Sequence, residues 1–208
     1  MLTLGRTRNP FIQVRLFSSS CLLKSSDVKS IYRLEDSPSA WGDYGDILRA
    51  GMTAHLGRLD GLLQLERVGP FVPPISFPGI SDIVVTDNFR KSLENSGLTG
   101  FTFQPVIKRR IVFLEWEKWN RPAEEPVEYP STGEPEDYIL ERPHSPELAQ
   151  QIGDLWEVCL SEYAGVNEVQ ADWFRLPGSL HNFVSERAQV WLKATVSEWV
   201  RFTQVHTD

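Results

Sequence analysis

The chain has 208 residues, of which 41% are hydrophobic and 24% charged, a composition typical of a globular protein that buries its core in one large domain or two small ones. Its formal net charge of −7 argues against a nucleic-acid binder that works through overall charge. Its two cysteines are too few for a disulfide framework or a cysteine zinc site, and no apolar run approaches the roughly 20 residues that a membrane-spanning helix needs.

Residues 1–30 are predicted to be an N-terminal extension. The first 26 residues contain four Arg and Lys, no Asp or Glu, and many Ser and Thr. This composition is typical of a mitochondrial transit peptide, and RLFS at 15–18 resembles a matrix-peptidase cleavage pattern. A basic tail without structure of its own is the alternative. We expect the protein in the mitochondrial matrix if residues 1–17 are a transit peptide, and in the cytoplasm otherwise.

Two segments of the body, residues 77–106 and 176–205, are similar to each other. At a constant offset of 99 residues, six of their 30 positions are identical, whereas random pairing gives about two. Chance similarity between two α/β segments is the alternative to an internal repeat. The identical pairs are Pro78/Pro177, Gly79/Gly178, Val85/Val184, Leu93/Leu192, Phe103/Phe202 and Val106/Val205.

Each of these segments predicts a turn, a strand, a helix and a second strand. Pro-Gly is a turn dipeptide, and a short β-rich run follows it in both segments. Thr86 and Ser185 then signal helix starts, because their hydroxyl groups can cap free backbone amides. Gly97 ends the first helix, and the last six residues of each segment alternate as a strand. The predicted fold class is therefore α+β, with two tandem strand–helix–strand units and mixed sheets.

A strand, a linker and a helix are predicted between the two units. Residues 107–119 alternate as a long strand or hairpin arm, and the proline-rich residues 120–137 are typical of a linker. Ser145 caps a helix near 145–163, whose apolar face would comprise Leu148, Ile152, Leu155, Trp156, Cys159 and Tyr163. The predicted organisation is an extension over 1–30, a first α+β unit over 31–119, an acidic linker over 120–137 and a second unit over 138–208.

No catalytic residue, metal site or cofactor is predicted. The four histidines, His55, His144, His181 and His206, stand in no metal-ligand spacing. The chain also lacks the glycine-rich phosphate loops and the nucleophile motifs of common enzyme families. We therefore expect a protein that is not an enzyme.

The strongest physical feature is an acidic segment. Residues 115–141 contain nine Asp and Glu against Lys118 and Arg121. Such a surface would attract a cationic protein, because complementary charge steers encounter and sets specificity. A solvated loop kept soluble by its charge is the alternative, and it is the commoner role of such runs. The candidate partner-binding residues are Glu115, Glu117, Glu124, Glu125, Glu128, Glu134, Glu136 and Asp137.

Several short motifs resemble one protein family. They are IYRL at 31–34, GLTGFTFQPV at 97–106, ADWFRL at 171–176, VSER at 184–187 and VRF at 200–202. These motifs are similar to those of the double-CXXCG motif proteins, which are bacterial immunity proteins against polymorphic or contact-delivered toxins. The two cysteine pairs of that family are absent. Leu56 and Leu59 keep the spacing of the first pair, so no zinc role carries over.

The resemblance, which spans about residues 31–206, implies a non-enzymatic binding protein that neutralises a toxin by occluding it, here with an acidic surface. The transit-like start suggests instead a eukaryotic homologue whose role has drifted. The alternative function is therefore a mitochondrial assembly factor or enzyme of unknown activity. A protein partner is expected in the first case, without nucleic acid or a membrane span, and the oligomeric state stays open.

Overall fold

The computed structural model describes residues 30–53, 57–115, 125–165 and 169–205, and these residues form the mixed α+β fold that the sequence predicts. The predicted transit peptide lies outside the described residues. The helices are α1 (Asp43–Ala50), α2 (Asp87–Asn95), α3 (Asp137–Leu140), α4 (Pro146–Gln151) and α5 (Glu186–Val196). The strands are β1 (Ile31–Asp36), β2 (Arg58–Leu59), β3 (Leu62–Gly69), β4 (Ile75–Ser76), β5 (Val84–Thr86), β6 (Phe101–Pro105), β7 (Ile107–Phe113), β8 (Leu155–Leu160), β9 (Trp173–Phe174), β10 (Asn182–Ser185) and β11 (Val200–Val205).

The two predicted units form two four-stranded sheets of the same strand order. One sheet has the order β4-β5-β8-β6 and the other the order β9-β10-β1-β11, and both are antiparallel. Each unit supplies two strands joined by a helix, and a strand from outside the unit runs between them. The helices keep the offset of 99 residues, since α2 begins at Asp87 and α5 at Glu186. The structure thus confirms the strand–helix–strand units at 77–106 and 176–205.

The helices of the two units begin and pack in the same way. The Thr86 hydroxyl accepts a hydrogen bond from the backbone amide three residues on at 3.4 Å, and the Ser185 hydroxyl accepts its counterpart at 3.2 Å. Both predicted caps are therefore present. Leu93 and Leu192 are fully buried in a single hydrophobic core to which both units contribute. The units fold around one shared core because each sheet has an apolar face that must be covered.

A third sheet carries the remaining helices. β3 and β7 pair in parallel, and β2 pairs with β3. Helices α1 and α3 bury a second apolar cluster against this sheet, with Leu48, Val68 and Ile139 among its members. The residues just before α4 are hydrogen-bonded to β7, since His144 Nδ1 accepts a hydrogen bond from the Ile111 amide at 2.9 Å. This sheet therefore positions α1, which forms one wall of the site described below.

The helix predicted near 145–163 is wrong in its second half. It begins as predicted, with the Ser145 hydroxyl accepting a hydrogen bond from the Leu148 amide at 3.2 Å, but α4 ends at Gln151. Gly153 follows with a φ of +74°, and the chain then enters β8 between β5 and β6. Short apolar runs fit either structure, and the sheet decides here because it offers backbone hydrogen bonds on both sides and buries Val158 completely.

The two sheets are built across the predicted division of the chain into 31–119, 120–137 and 138–208. β1 belongs to the first segment but pairs with β10 and β11 of the second. β8 belongs to the last segment but pairs with β5 and β6 of the first. The boundaries drawn from composition therefore do not enclose separate sheets.

Candidate functional site

A groove of about 680 Å³ opens where β1 leaves its sheet. Its walls are the end of β1, helix α1, residues 134–136 and the two loops that lead to β5 and β10. Six carboxylates line it, and the only arginine among the lining residues is Arg201. We call this cavity the acidic groove, and its carboxylates are those of Glu35, Asp36, Asp43, Asp46, Glu134 and Glu136.

Three of the six carboxylates have no cation to balance them among the described residues. Asp43, Glu134 and Glu136 form no ion pair with any residue that the structure describes. Asp43 lies in the first turn of α1, where the free amides and the dipole of the helix favour an acidic side chain. Unbalanced charge in a concave site raises the local concentration of cations and speeds their association. The net charge of the groove is therefore available to a ligand.

A buried ion pair joins β1 to α1 beside the groove. The Arg49 side chain is almost completely buried, and its Nη2 lies 2.5 Å from Asp36 Oδ2. The same nitrogen donates to the Ser37 carbonyl at 2.5 Å. Burial raises the pKa of Asp36 to about 6, although the Arg49 guanidinium acts in the opposite direction. Asp36 therefore changes its charge close to neutral pH.

Glu35 already has cationic partners in Arg33 and Arg201. Its Oε1 lies 3.0 Å from an Arg33 nitrogen and 3.5 Å from an Arg201 nitrogen, and its Oε2 accepts a hydrogen bond from the Thr203 hydroxyl at 2.9 Å. Burial alone would raise the pKa of Glu35. The hydrogen bonds from Thr203 and Arg33 outweigh that effect and hold the pKa below its usual range. Glu35 is thus fixed in place and contributes little free charge.

Tyr44 fixes the segment that brings Glu134 and Glu136 to the groove. Its hydroxyl donates to the Gly133 carbonyl, and its ring meets the Tyr129 ring edge-on with centroids 5.2 Å apart. Because Tyr44 lies in α1, these contacts hold the acidic segment against the same helix that carries Asp43 and Asp46. These tertiary contacts therefore place acids from two distant segments side by side.

Two exposed aliphatic side chains stand at the rim of the groove. Ile80 is 79% exposed and Leu180 is 60% exposed, and each follows one of the repeated Pro-Gly dipeptides. The loop that carries Ile80 is closely packed, and a side chain larger than hydrogen does not fit at Gly79. A Cβ there would lie 2.4 Å from a carboxylate oxygen of Asp82. Exposed apolar side chains next to charged ones are typical of protein-binding surfaces, in which apolar anchors supply affinity and the charged rim supplies orientation.

The structure brings only part of the predicted partner-binding set to this groove. Glu134 and Glu136 line it, and Asp137 follows directly as the first residue of α3. Glu117 and Glu124 lie outside the described residues.

The other predicted acids lie elsewhere. Glu115 and Glu128 line a separate cavity of about 520 Å³, together with apolar side chains such as Val127. The Glu125 carboxylate accepts a hydrogen bond from the Tyr129 hydroxyl at 3.0 Å. The acidic segment is thus distributed over more than one surface.

Four carboxylates of the groove were missed by sequence reasoning: Glu35, Asp36, Asp43 and Asp46. Their signal was weak but present, since Glu35 and Asp36 are adjacent and the pair Asp43/Asp46 has the spacing of one helical face. What no local pattern shows is that these residues meet Glu134 and Glu136, because that contact depends on the tertiary fold.

A second buried carboxylate already has its cation. Glu157 in β8 is 4% exposed, and Arg58 donates hydrogen bonds to both of its oxygens at 2.6 and 2.8 Å. Arg58 also reaches Asp82 Oδ1 at 3.3 Å. Hydrogen bonding to Glu157 raises the pKa of Arg58 above its already high value, so the Arg58 guanidinium stays charged. The chain's own Arg58 therefore covers this cluster, and both of its carboxylates already have a cationic partner.

The described residues form neither a metal-binding cluster nor a membrane-spanning helix. Within residues 30–53, 57–115, 125–165 and 169–205, no group of three His, Cys, Asp or Glu side chains is placed to hold a metal ion. In the same ranges, no helix combines the length and the apolar character needed to cross a bilayer.

Comparison with protein-family models, with curated proteins and with solved structures gave no match. The resemblance to the double-CXXCG motif proteins therefore stays a prediction.

Proposed function

We propose that the chain is a non-enzymatic binding protein that takes a cationic segment of another protein into the acidic groove. The observation that carries the proposal is the combination of three unbalanced carboxylates with the exposed Ile80 and Leu180. A fitting partner segment presents Lys or Arg flanked by apolar side chains. The carboxylates would speed encounter and select for positive charge, and the aliphatic side chains would slow dissociation.

The resemblance to toxin-immunity proteins supports one kind of partner. An immunity protein acts by occluding its toxin, and a cationic toxin surface is the complement that an acidic groove requires. The alternative, a mitochondrial assembly factor or enzyme, depends on residues 1–30 and stays a prediction.

Site-specific photo-crosslinking in the cells that produce the protein tests this function. A photoreactive amino acid replaces Leu180 at the rim, and in a control it replaces Val190, an equally exposed residue of α5 outside the groove. We expect a crosslinked protein with a basic surface from position 180 only. Crosslinking of the same protein from position 190, or of a partner without basic surface, would contradict the proposal.

Two matched triple variants separate the groove from net charge. The groove triple is Asp43→Asn, Glu134→Gln and Glu136→Gln, and the matched triple is Asp60→Asn, Glu94→Gln and Glu162→Gln, which are exposed acids outside the groove. Both remove three negative charges. The groove triple should abolish the crosslink at position 180, and the matched triple should preserve it. Equal losses would show that the partner responds to overall charge only.

A further inference from the structure

The chain contains two repeats that share an element order but exchange one strand. The first repeat comprises β1, β4, β5, α2 and β6, with α1, β2 and β3 inserted after β1, and the second comprises β8, β9, β10, α5 and β11. If each repeat kept its own first strand, β1 would lie between β5 and β6. It lies instead between β10 and β11, and β8, the first strand of the second repeat, takes the place between β5 and β6.

The exchanged strands occupy equivalent registers. Leu155 of β8 faces Thr86, and Ile31 of β1 faces Ser185, the residue 99 positions after Thr86. All three residue pairs between β5 and β8 recur in the same way between β10 and β1. All five pairs between β6 and β8 recur between β11 and β1. A slip of one residue would turn every side chain to the opposite face, so this agreement is a strong structural repeat.

The exchanged strands also bury equivalent side chains. Leu34 in β1 and Val158 in β8 occupy the same register position, and both lie in the shared hydrophobic core. Tyr32 and Trp156 are a second such pair, and both pack against that core. Removing either strand would therefore open a sheet through its middle and expose the core of both repeats at once.

We propose that this chain is a strand-exchanged dimer joined into one polypeptide, in which each half is the binding partner of the other. The interaction surface is the strand slot of each sheet, and its ligand is the first strand of the opposite repeat. A strand in the middle of a sheet makes backbone hydrogen bonds on both edges, so each half holds the other through two complete ladders. Reciprocal exchange of an identical element is a low-cost route to such a pair.

A further contact ties the halves together near the exchanged strands. Asp172 Oδ2 accepts a hydrogen bond from the Thr99 amide at 3.0 Å, which joins the loop before β6 to the second repeat. The Arg187 guanidinium donates to the same carboxylate oxygen at 3.1 Å and to the Gly97 carbonyl at 2.9 Å. The covalent connection between the halves is then not required to hold them together.

An engineered disulfide distinguishes the exchanged strands from an arrangement in which each repeat keeps its own first strand. In a Cys21→Ser background the remaining cysteine is Cys159, which faces Thr102 across β8 and β6. Directly opposed residues have Cα atoms about 4.5–5.5 Å apart, within the range of a disulfide. We expect Thr102→Cys to form a bridge to Cys159 under mild oxidation. In an unexchanged arrangement Cys159 would instead face Arg201, so Arg201→Cys is the matched control. A bridge from Arg201→Cys, or from neither variant, would overturn the proposal.

Cleavage of the folded chain tests the association itself. A protease site is inserted between Thr132 and Gly133, in an exposed turn, and cut after the full chain has folded. We expect the two fragments to elute as one particle of unchanged size, with a melting temperature that becomes dependent on protein concentration. Fragments that separate or aggregate would overturn the proposal. Neither experiment measures partner binding, so its outcome is independent of the function of the groove.

Discussion

The two four-stranded sheets share their interior positions and differ on their outer faces. Val85 and Leu93 in one repeat have identical, buried counterparts in Val184 and Leu192 of the other. On the outer face of the central strands the match ends, because Glu157 in one sheet occupies the register position that Arg33 has in the other. The shared core constrains the interior of both sheets, whereas the outer faces are free to diverge.

Elements outside the repeats determine which acidic site is open. The β2–β3 hairpin brings Arg58 onto Glu157 and closes that site. At the other sheet, Arg49 of α1 pairs with Asp36 and Asp46, but α1 and residues 134–136 add further carboxylates that no described cation pairs, and the groove stays open. The repeats thus build the scaffold, while the inserted segments give each face its charge.

The largest expected effects concern the shared interior. Leu93→Ala and Leu192→Ala each remove a fully buried side chain, and each should lower the free energy of unfolding by about 3 kcal/mol. Because both leucines lie in one core, chemical denaturation should show a single cooperative transition for both variants. The exposed Val190→Ala is the control, with an expected change below about 0.5 kcal/mol. Two separable transitions would show that the repeats do not share a core.

The free energy of unfolding should fall clearly when Glu157 loses Arg58, the cation that pairs with it. Arg58→Met leaves the buried carboxylate of Glu157 without its partner and should lower stability by about 2 kcal/mol, less than for a fully buried pair because Arg58 is partly exposed. Adding Glu157→Gln should recover much of that loss. Lys91→Met removes an exposed pair with Asp87 and should leave stability almost unchanged. An equal effect of Arg58→Met and Lys91→Met, measured by urea denaturation, would contradict this difference.

In the acidic groove, Asp36 should make the free energy of unfolding depend on pH. Its pKa in the folded chain is about 6, above the value of an unfolded chain, so the folded state holds the proton more tightly. The resulting stabilisation is complete below about pH 4 and is lost as the pH rises through 6, a difference of at most about 3 kcal/mol. Asp36→Asn should flatten this part of the stability–pH curve. An unchanged curve in Asp36→Asn would assign the pH dependence to other groups.

The smallest effects should come from the equivalent helix caps. Thr86→Ala and Ser185→Ala each remove a hydroxyl that accepts a backbone amide hydrogen bond, and each should cost about 1 kcal/mol in thermal or chemical denaturation. Similar losses would extend the equivalence of the repeats to their local energetics. A loss at only one position would limit the equivalence to geometry.

The repeat could be predicted from the sequence because its signals are local. Turn dipeptides, cap residues such as Thr86 and apolar spacing all act within one segment, and the structure confirms them. β8 could not be identified, since an apolar run such as 155–160 fits a helix or a strand until neighbouring strands decide. Two of the six carboxylates of the groove, Glu134 and Glu136, were predicted. Its other acids belong to a segment that only tertiary contacts bring near, and strand exchange has no local signal at all.

Selection from a random-peptide library on the full chain is the most direct test of the acidic groove as a binding site. We expect the enriched peptides to carry Lys or Arg next to aliphatic residues. The groove triple, which neutralises Asp43, Glu134 and Glu136, should bind them roughly tenfold more weakly, as expected for three partly exposed charge pairs, and the matched triple should bind them unchanged. Peptides without basic residues, or equal affinity for the groove triple and the wild-type chain, would contradict the proposed function.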